Sequence, residues 1–301
     1  MWAVVEGFST IAAVVAVGYL LARAGITGRP GQRALGDIAF YVAQPALVLR
    51  AVSEAELGVL FGWHVVAFGL ACIVTGLSFA AIRRRQGATR AEATIGYLAT
   101  SYVNAANLGL PIAAFVLGDA AWAAPAMLLQ VLVLQPSAIA SLEASTAGPR
   151  RSVLRTFVTH PMVLGGVLGL ALNLSGWQPP SLVWGPLALI ADLAIPAMLL
   201  AFGLSLHSNP LPRLHRMPRS TQAAIATKAV VVPAVALATG LALGLTSDQL
   251  RAAVVLAALP TAQVVFVHAL RYRVGLGMVQ ATTVWSTLLS VPVILAAGTL
   301  L

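Results

Sequence analysis

A chain of 301 residues that is 59% hydrophobic and 9% charged lies far from the roughly 25% charged residues of a soluble globular protein. It implies lipid as the solvent and excludes an ordinary soluble enzyme or binding module. The net charge of +9 would suggest nucleic acid in a soluble protein, but here the basic residues stand in short clusters between apolar runs, which is a topology signal and leaves no nucleic-acid partner.

Taken in chain order, the apolar runs predict spans near 2–22, 35–52, 58–82, 91–117 and 121–143, then 161–176, 184–206, 221–245, 250–270 and 277–300. Each approaches or meets the roughly 20 residues that a bilayer core demands of a helix. The run 57–82 holds only His64 as an ionisable group, and 121–142 holds none. Glu6 is the only charge before Arg23, so the basic n-region of a cleaved signal is missing and Trp2 to Ala22 reads as the first span. The single Cys72 lies in an apolar run, which excludes an intrachain disulfide and a cysteine zinc site.

Basic clusters fall in alternate connections: Arg23, Arg29 and Arg33; Arg83, Arg84, Arg85 and Arg90; Arg150, Arg151 and Arg155; Arg213, Arg216 and Arg219; Arg271 and Arg273. They account for 15 of the 18 Lys and Arg. By the positive-inside rule these connections are cytoplasmic, and both termini are extracytoplasmic in a multi-pass protein of the cell (inner) membrane. The expected fold is all-α, with about ten transmembrane helices.

The halves 1–146 and 147–301 match at an offset of 151. Gly18, Leu21 and Gly25 recur as Gly169, Leu172 and Gly176, while Pro45, Ala46 and Leu49 recur as Pro196, Ala197 and Leu200. An odd number of spans separates each pair, so the two five-helix repeats are inverted, with no soluble domain between them. Inverted repeats are the architecture of secondary transporters, which hold substrate near mid-membrane.

Span four reads TSYVNAANLGLPIAAF, with Asn104, Asn107, Gly109 and Pro111 inside an otherwise apolar segment. Proline removes a helix hydrogen bond and clashes with the preceding turn, and Gly109 relaxes the backbone beside it, so a break is expected here. Span nine reads VVLAALPTAQVVFVHALRY. At an offset widened to 156, Pro260 falls opposite Asn104 and Gln263 opposite Asn107, and Pro136 pairs with Pro292. Two broken helices would then cross near the bilayer centre, where half-helix N-termini carry partial positive charge and free N–H groups suited to an anion. Asn104, Asn107, Gly109, Pro111, Pro260, Thr261 and Gln263 are the candidate substrate-binding residues; the competing reading is that Asn104, Asn107 and Gln263 only cap the broken helices, and the two roles are not exclusive.

These segments resemble the auxin efflux carrier family, the bacterial relatives of plant PIN-type auxin exporters. The resemblance rests on the Asn104, Asn107, Gly109, Pro111 series and on LPTAQVVFVHALRY from Leu259 to Tyr272. It rests also on IAFYVAQPALVL around Pro45, IPAMLLAFGLSL from Ile195 to Leu206, and HPMVLGGVLGLALN, where His160 stands in place of a common asparagine. It covers essentially the whole chain. It implies a bile-acid sodium symporter-like fold with a scaffold and a transport domain holding the crossed helices. It also implies carriage of a small organic anion, auxin-like or malate/malonate-like; export is the expected direction because an anion leaving a cell that is negative inside moves down the potential. Plant members carry a long loop between spans five and six; here that loop is only about 15 residues, so loop-based regulation does not carry over.

Asp192, inside span seven, and Lys228, inside span eight, are candidates for proton or ion coupling. The competing readings are an interfacial or capping aspartate and a lysine that snorkels towards the interface. His64 and Asp37 sit at span edges and look interfacial. Neither broken segment contains a carboxylate, which disfavours a sodium site. No constellation of nucleophile and base suggests an enzyme, and no cofactor or metal is expected. A cation-coupled symporter, proton or sodium, and more remotely a channel, remain as alternatives. Partners are the small organic anion and membrane lipid, with a homodimer left open.

Overall fold

The computed structural model describes residues 2–55, 61–145, 161–208 and 214–301. Arg150, Arg151, Arg155, His160 and Arg213 lie outside the described residues, as do the side chains of Asn107 and Arg271. The described chain is a succession of helices. They are α1 (Trp2–Arg23), α2 (Pro30–Glu54), α3 (Trp63–Arg85), α4 (Arg90–Ser101), α5 (105–117), α6 (Ala120–Glu143), α7 (Pro161–Ser175), α8 (Ser181–Ser208), α9 (Arg219–Ala242), α10 (Ser247–Ala258), α11 (Gln263–Tyr272) and α12 (Leu276–Leu300). Among the described residues six helices or stretches of helix are long and apolar enough to cross a membrane: α2, α3, α6, Ser181–Ala201 of α8, α9 and α12. Their outward faces stay apolar; Leu189 of α8 is 75% exposed and Leu70 and Val74 of α3 are 44% and 50% exposed. Faces of that kind call for lipid.

Proline shapes several helices in one way. A π-type turn at Ala39–Ala43, Ala105–Gly109, Gln130–Leu134 and Thr227–Val231 stands just ahead of Pro45, Pro111, Pro136 and Pro233. The wider turn makes room for a ring that would otherwise collide with the turn before it, so the helix continues rather than stops.

The chain forms two compact units. The first is Met1–Leu60, Ala106–Ala124 and Val158–Leu211; the second is Phe61–Ala105, Pro125–Phe157 and Pro212–Leu301. Each takes residues from both halves of the sequence.

In the first unit α1 packs on α8 and α7 packs on α2. Both contacts turn on a glycine against backbone. A Cβ on Gly18 would collide with the Leu200 carbonyl oxygen, and one on Gly169 would stand 2.6 Å from the Leu49 carbonyl oxygen. Gly18 and Gly169 are 151 residues apart, and so are Leu49 and Leu200. α1 and α7 also end alike, at Gly25 and Gly176 with left-handed φ of 70° and 65°, a conformation that glycine adopts without a Cβ penalty. Gly169→Leu forces α7 and α2 apart, because the obstacle is backbone and cannot rotate away. It is expected to cost about 1–3 kcal/mol by overpacking, read as a lower thermal midpoint in detergent; an unchanged midpoint would remove the contact.

The second unit holds the apolar cluster of Ile95, Leu98, Leu134, Leu142, Val265 and Val279. α4 begins with Thr89 as N-cap in a reciprocal pair with Glu92, and α10 begins with Thr246, whose hydroxyl accepts from the Gln249 N–H.

Candidate functional site: two interrupted helices in one unit

α4 stops at Ser101. Tyr102 then turns extended, with φ −87° and ψ 105°. α10 stops at Ala258, and Leu259 is extended, with φ −55° and ψ 143°. The two extended stretches lie antiparallel and pair, Val103 against Thr261. The Asn104 N–H donates to the Pro260 carbonyl at 2.7 Å, and the Ala262 N–H donates to the Tyr102 carbonyl at 3.1 Å. This pairing serves backbone groups that would otherwise cost several kcal/mol each in an apolar interior.

The ends of the half-helices are satisfied by side chains from far along the chain. The Thr261 hydroxyl donates to the Ala99 carbonyl at 2.6 Å, and the Thr261 N–H donates to the Ser286 hydroxyl at 3.0 Å. The Lys228 ammonium donates to the Ala257 carbonyl, in the last turn of α10, at 2.9 Å. The Tyr102 hydroxyl donates to the Gln135 side-chain oxygen at 3.1 Å.

Several sequence expectations change here. The helix does not break at Gly109 and Pro111. Gly109 has helical φ −66° and ψ −43°, Pro111 sits inside α5, and the break lies at Tyr102–Asn104. The reason is that the π-type turn absorbs Pro111, whereas Tyr102–Asn104 finds backbone partners on Leu259–Ala262. The break in span nine does fall at Pro260 and Thr261. Asn107, Gly109 and Pro111 fall in the first compact unit, while Asn104, Pro260, Thr261 and Gln263 share the second. Lys228 does not snorkel: its side chain is fully buried. His64, at the start of α3, is also fully buried within the protein.

Asn104 is 5% exposed, and among the described residues its side-chain amide makes no hydrogen bond. It stands at the start of the helical run 105–117, and half-buried Gln263 opens α11. The arrangement thus offers an unspent amide on the buried residue Asn104, a second amide at a half-helix N-terminus and the α9 lysine, whose ammonium lies on the Ala257 carbonyl one turn before Pro260. Such a set of donors suits a carboxylate, since amide N–H groups and N-terminal dipoles both favour negative charge.

Sequence reasoning missed Tyr102, Gln135 and Ser286. Two glutamines, Gln130 and Gln135, in a run without charges were a legible signal, and both are buried.

Asp192 belongs to the first unit. Its carboxylate meets the Arg50 guanidinium at 2.8 Å, with the Asp192 side chain 62% exposed, and Arg50 also donates to the Ala188 carbonyl. Arg50 therefore pairs with Asp192 rather than with its sequence neighbour Glu54. An exposed pair of this kind contributes little to stability, about 0–1 kcal/mol. Asp192→Asn is expected to leave the thermal midpoint in detergent nearly unchanged, since a neutral amide oxygen still accepts from Arg50. A collapsed midpoint would instead make the pair structural.

Comparison with known proteins places these features. The model of a family described as "Membrane transport protein" matches residues 3–151 and 145–296. The chain is 30% identical over 293 residues to the "Putative malonate transporter" of Rhizobium meliloti, covering 92% of this chain and 89% of that protein. It is 27% identical over 146 residues to "Auxin efflux carrier component 2" of Arabidopsis thaliana, covering 47% of this chain and 22% of that one. A similar stretch is 28% identical to "Probable auxin efflux carrier component 1b" of Oryza sativa, 26% of whose length it spans.

Proposed function

Because this chain belongs to the membrane transport protein family, that of the auxin efflux carriers, we propose that it is a secondary carrier that exports a small carboxylate by alternating access. Ten transmembrane helices in two inverted five-helix repeats would form it, in the cell (inner) membrane with both termini extracytoplasmic.

The single observation that carries this reading is the pairing of the two interrupted helices, with an unspent buried amide at Asn104 and no carboxylate in either broken segment. An enzyme would need a nucleophile and base in mutual reach; a carrier needs a polar, reversible docking point inside an apolar body. The inverted repeat is supported by the glycine contacts of the first unit. Gly18 on Leu200 and Gly169 on Leu49 are the same contact made twice, at one offset. Asn104, Thr261 and Gln263 would bind the substrate, with Pro260 holding the break; Asn107, Gly109 and Pro111 would shape the adjoining helix.

Dicarboxylate is favoured over auxin, since the similarity to the malonate-named protein runs over nearly its whole length and that to the plant carriers does not. Export needs no second ion: one negative charge leaving a cell at 100 mV, negative inside, gains about 2.3 kcal/mol. Lys228, a tethered cation at the C-terminal carbonyls of α10, supplies the positive charge that a coupled metal cation would otherwise bring to that helix end.

Proteoliposomes loaded with labelled malonate or indole-3-acetate test the proposal, with and without an imposed potential. Malonate flux that follows the potential and is unchanged when sodium is replaced by choline is the expected result. Flux that requires a sodium or proton gradient would establish the symporter instead, and no carboxylate flux at either polarity would end the proposal.

A further inference from the structure

The second compact unit carries a groove of about 430 Å³ that the transport reading does not use. It is formed by the C-terminal part of α3, the first two turns of α4 and the C-terminal part of α6, with Arg84 and Arg90 at one end. Below the arginines it is lined by the hydroxyls of Thr94, Tyr97, Ser137 and Ser141.

These groups are held in place. The Arg90 Nε donates to the Ser141 hydroxyl at 3.2 Å, and that hydroxyl lies 2.7 Å from the Thr94 hydroxyl, which donates in turn to the Arg90 carbonyl. One Arg84 nitrogen donates to the Ala88 carbonyl at 2.6 Å. Among the described residues each guanidinium spends one nitrogen on the protein, out of the five N–H donors it carries. The nearest acid on α4, Glu92, is turned back onto Thr89, accepting from both its N–H and its hydroxyl.

The other wall is apolar and open. Leu77, Ala80 and Ala81 form it, and Leu77 is 56% exposed. The stripe continues along the same face of α3 through Val74 and Leu70, at helical spacings of three and four. Leu77 stands seven residues before Arg84, about 10 Å along the helix. A phosphate at the arginines would thus have an exposed hydrocarbon track running away from it into the depth of the membrane.

We propose that this groove is a binding site for an anionic phospholipid, with the phosphate between Arg84 and Arg90, the headgroup hydroxyls on Ser137 and Ser141, and one acyl chain along Leu77, Val74 and Leu70. The chemistry follows from position. Basic pockets between transmembrane helices on the cytoplasmic side bind anionic headgroups, and arginine forks match phosphate oxygens. A soluble phosphate would find the arginines but gain nothing from the apolar track.

The test is native mass spectrometry of the purified chain in detergent, titrated with phosphatidylglycerol or with phosphatidylcholine of the same acyl chains. The parent is expected to retain phosphatidylglycerol several-fold more than phosphatidylcholine. Arg84→Ala with Arg90→Ala is expected to cut that retention about fivefold or more, while Arg84→Lys with Arg90→Lys keeps at least half, which guards against a folding defect. Arg216→Ala with Arg219→Ala removes equal charge from the same unit and is expected to leave retention unchanged. Equal loss in that control would reduce the effect to general surface charge and overturn the site, as would undiminished retention without Arg84 and Arg90. Displacement of the lipid by millimolar inorganic phosphate would overturn it in favour of a soluble anion. A dimer mass that holds no lipid and disappears in the Arg84 and Arg90 alanine variant would overturn it in favour of a second copy of the chain.

Discussion

Asn104→Ala is expected to lower anion flux by about 10- to 100-fold at unchanged protein level, because a hydrogen bond to a charged partner contributes about 1.5–3 kcal/mol. The backbone of residue 104 is already committed, its N–H donating to the Pro260 carbonyl at 2.7 Å, and alanine keeps that bond. The residue is 5% exposed and its side chain makes no hydrogen bond among the described residues, so its removal strands no partner in the protein. The loss should therefore appear in transport and not in stability. Flux and thermal midpoint measured on one preparation separate the two. Unchanged flux at equal protein would take Asn104 out of the site; a collapsed midpoint would make it structural. Pro260→Ala acts differently, since alanine restores an N–H and lets α10 extend towards α11. It is expected to reduce flux comparably by loosening the pairing of Val103 with Thr261.

Lys228→Met is the second large effect, and its signature lies in how the loss depends on substrate charge. The ammonium sits on the Ala257 carbonyl, three residues before Pro260. A unit charge roughly 10 Å from a bound carboxylate contributes about 1.7 kcal/mol at an effective dielectric constant of 20. Its loss then corresponds to about a 15-fold weaker apparent affinity for a monocarboxylate, and to a larger loss for a dianion such as malonate, whose interaction is doubled. Stability should change little, because removing a buried charge offsets leaving one carbonyl without its donor. Equal losses for monoanion and dianion would show that Lys228 supports the helix end without attracting substrate.

The spans and the basic clusters between them were legible because each depends on residues close in sequence. An apolar run, a triplet such as Arg83, Arg84 and Arg85, or a glycine after a helix carries its meaning within a turn or two. The offset of 151 was legible too, and its glycines and leucines reappear in the first unit as two like contacts. The consequences of proline were not. Pro111 and Pro260 remove the same bond, yet one is absorbed in a π-type turn and the other ends a helix. Which outcome holds depends on what lies across from the freed groups. At Pro260 the partners are Asn104, Tyr102 and Ser286, distant in sequence.

The same distinction governs the charged side chains. Arg50 had Glu54 one turn away and pairs with Asp192 instead. Lys228, which the sequence let snorkel towards an interface, turns inward to Ala257. Sequence by itself determined that this chain is a multi-pass membrane protein of the auxin efflux carrier kind, and where its helices weaken, since composition, spacing and charge clustering are local properties. Only the tertiary structure decided where the weak helices part and which side chains answer the freed backbone groups. That choice is made by contacts such as Thr261 on Ala99, 162 residues apart, and packing alone brings such residues together.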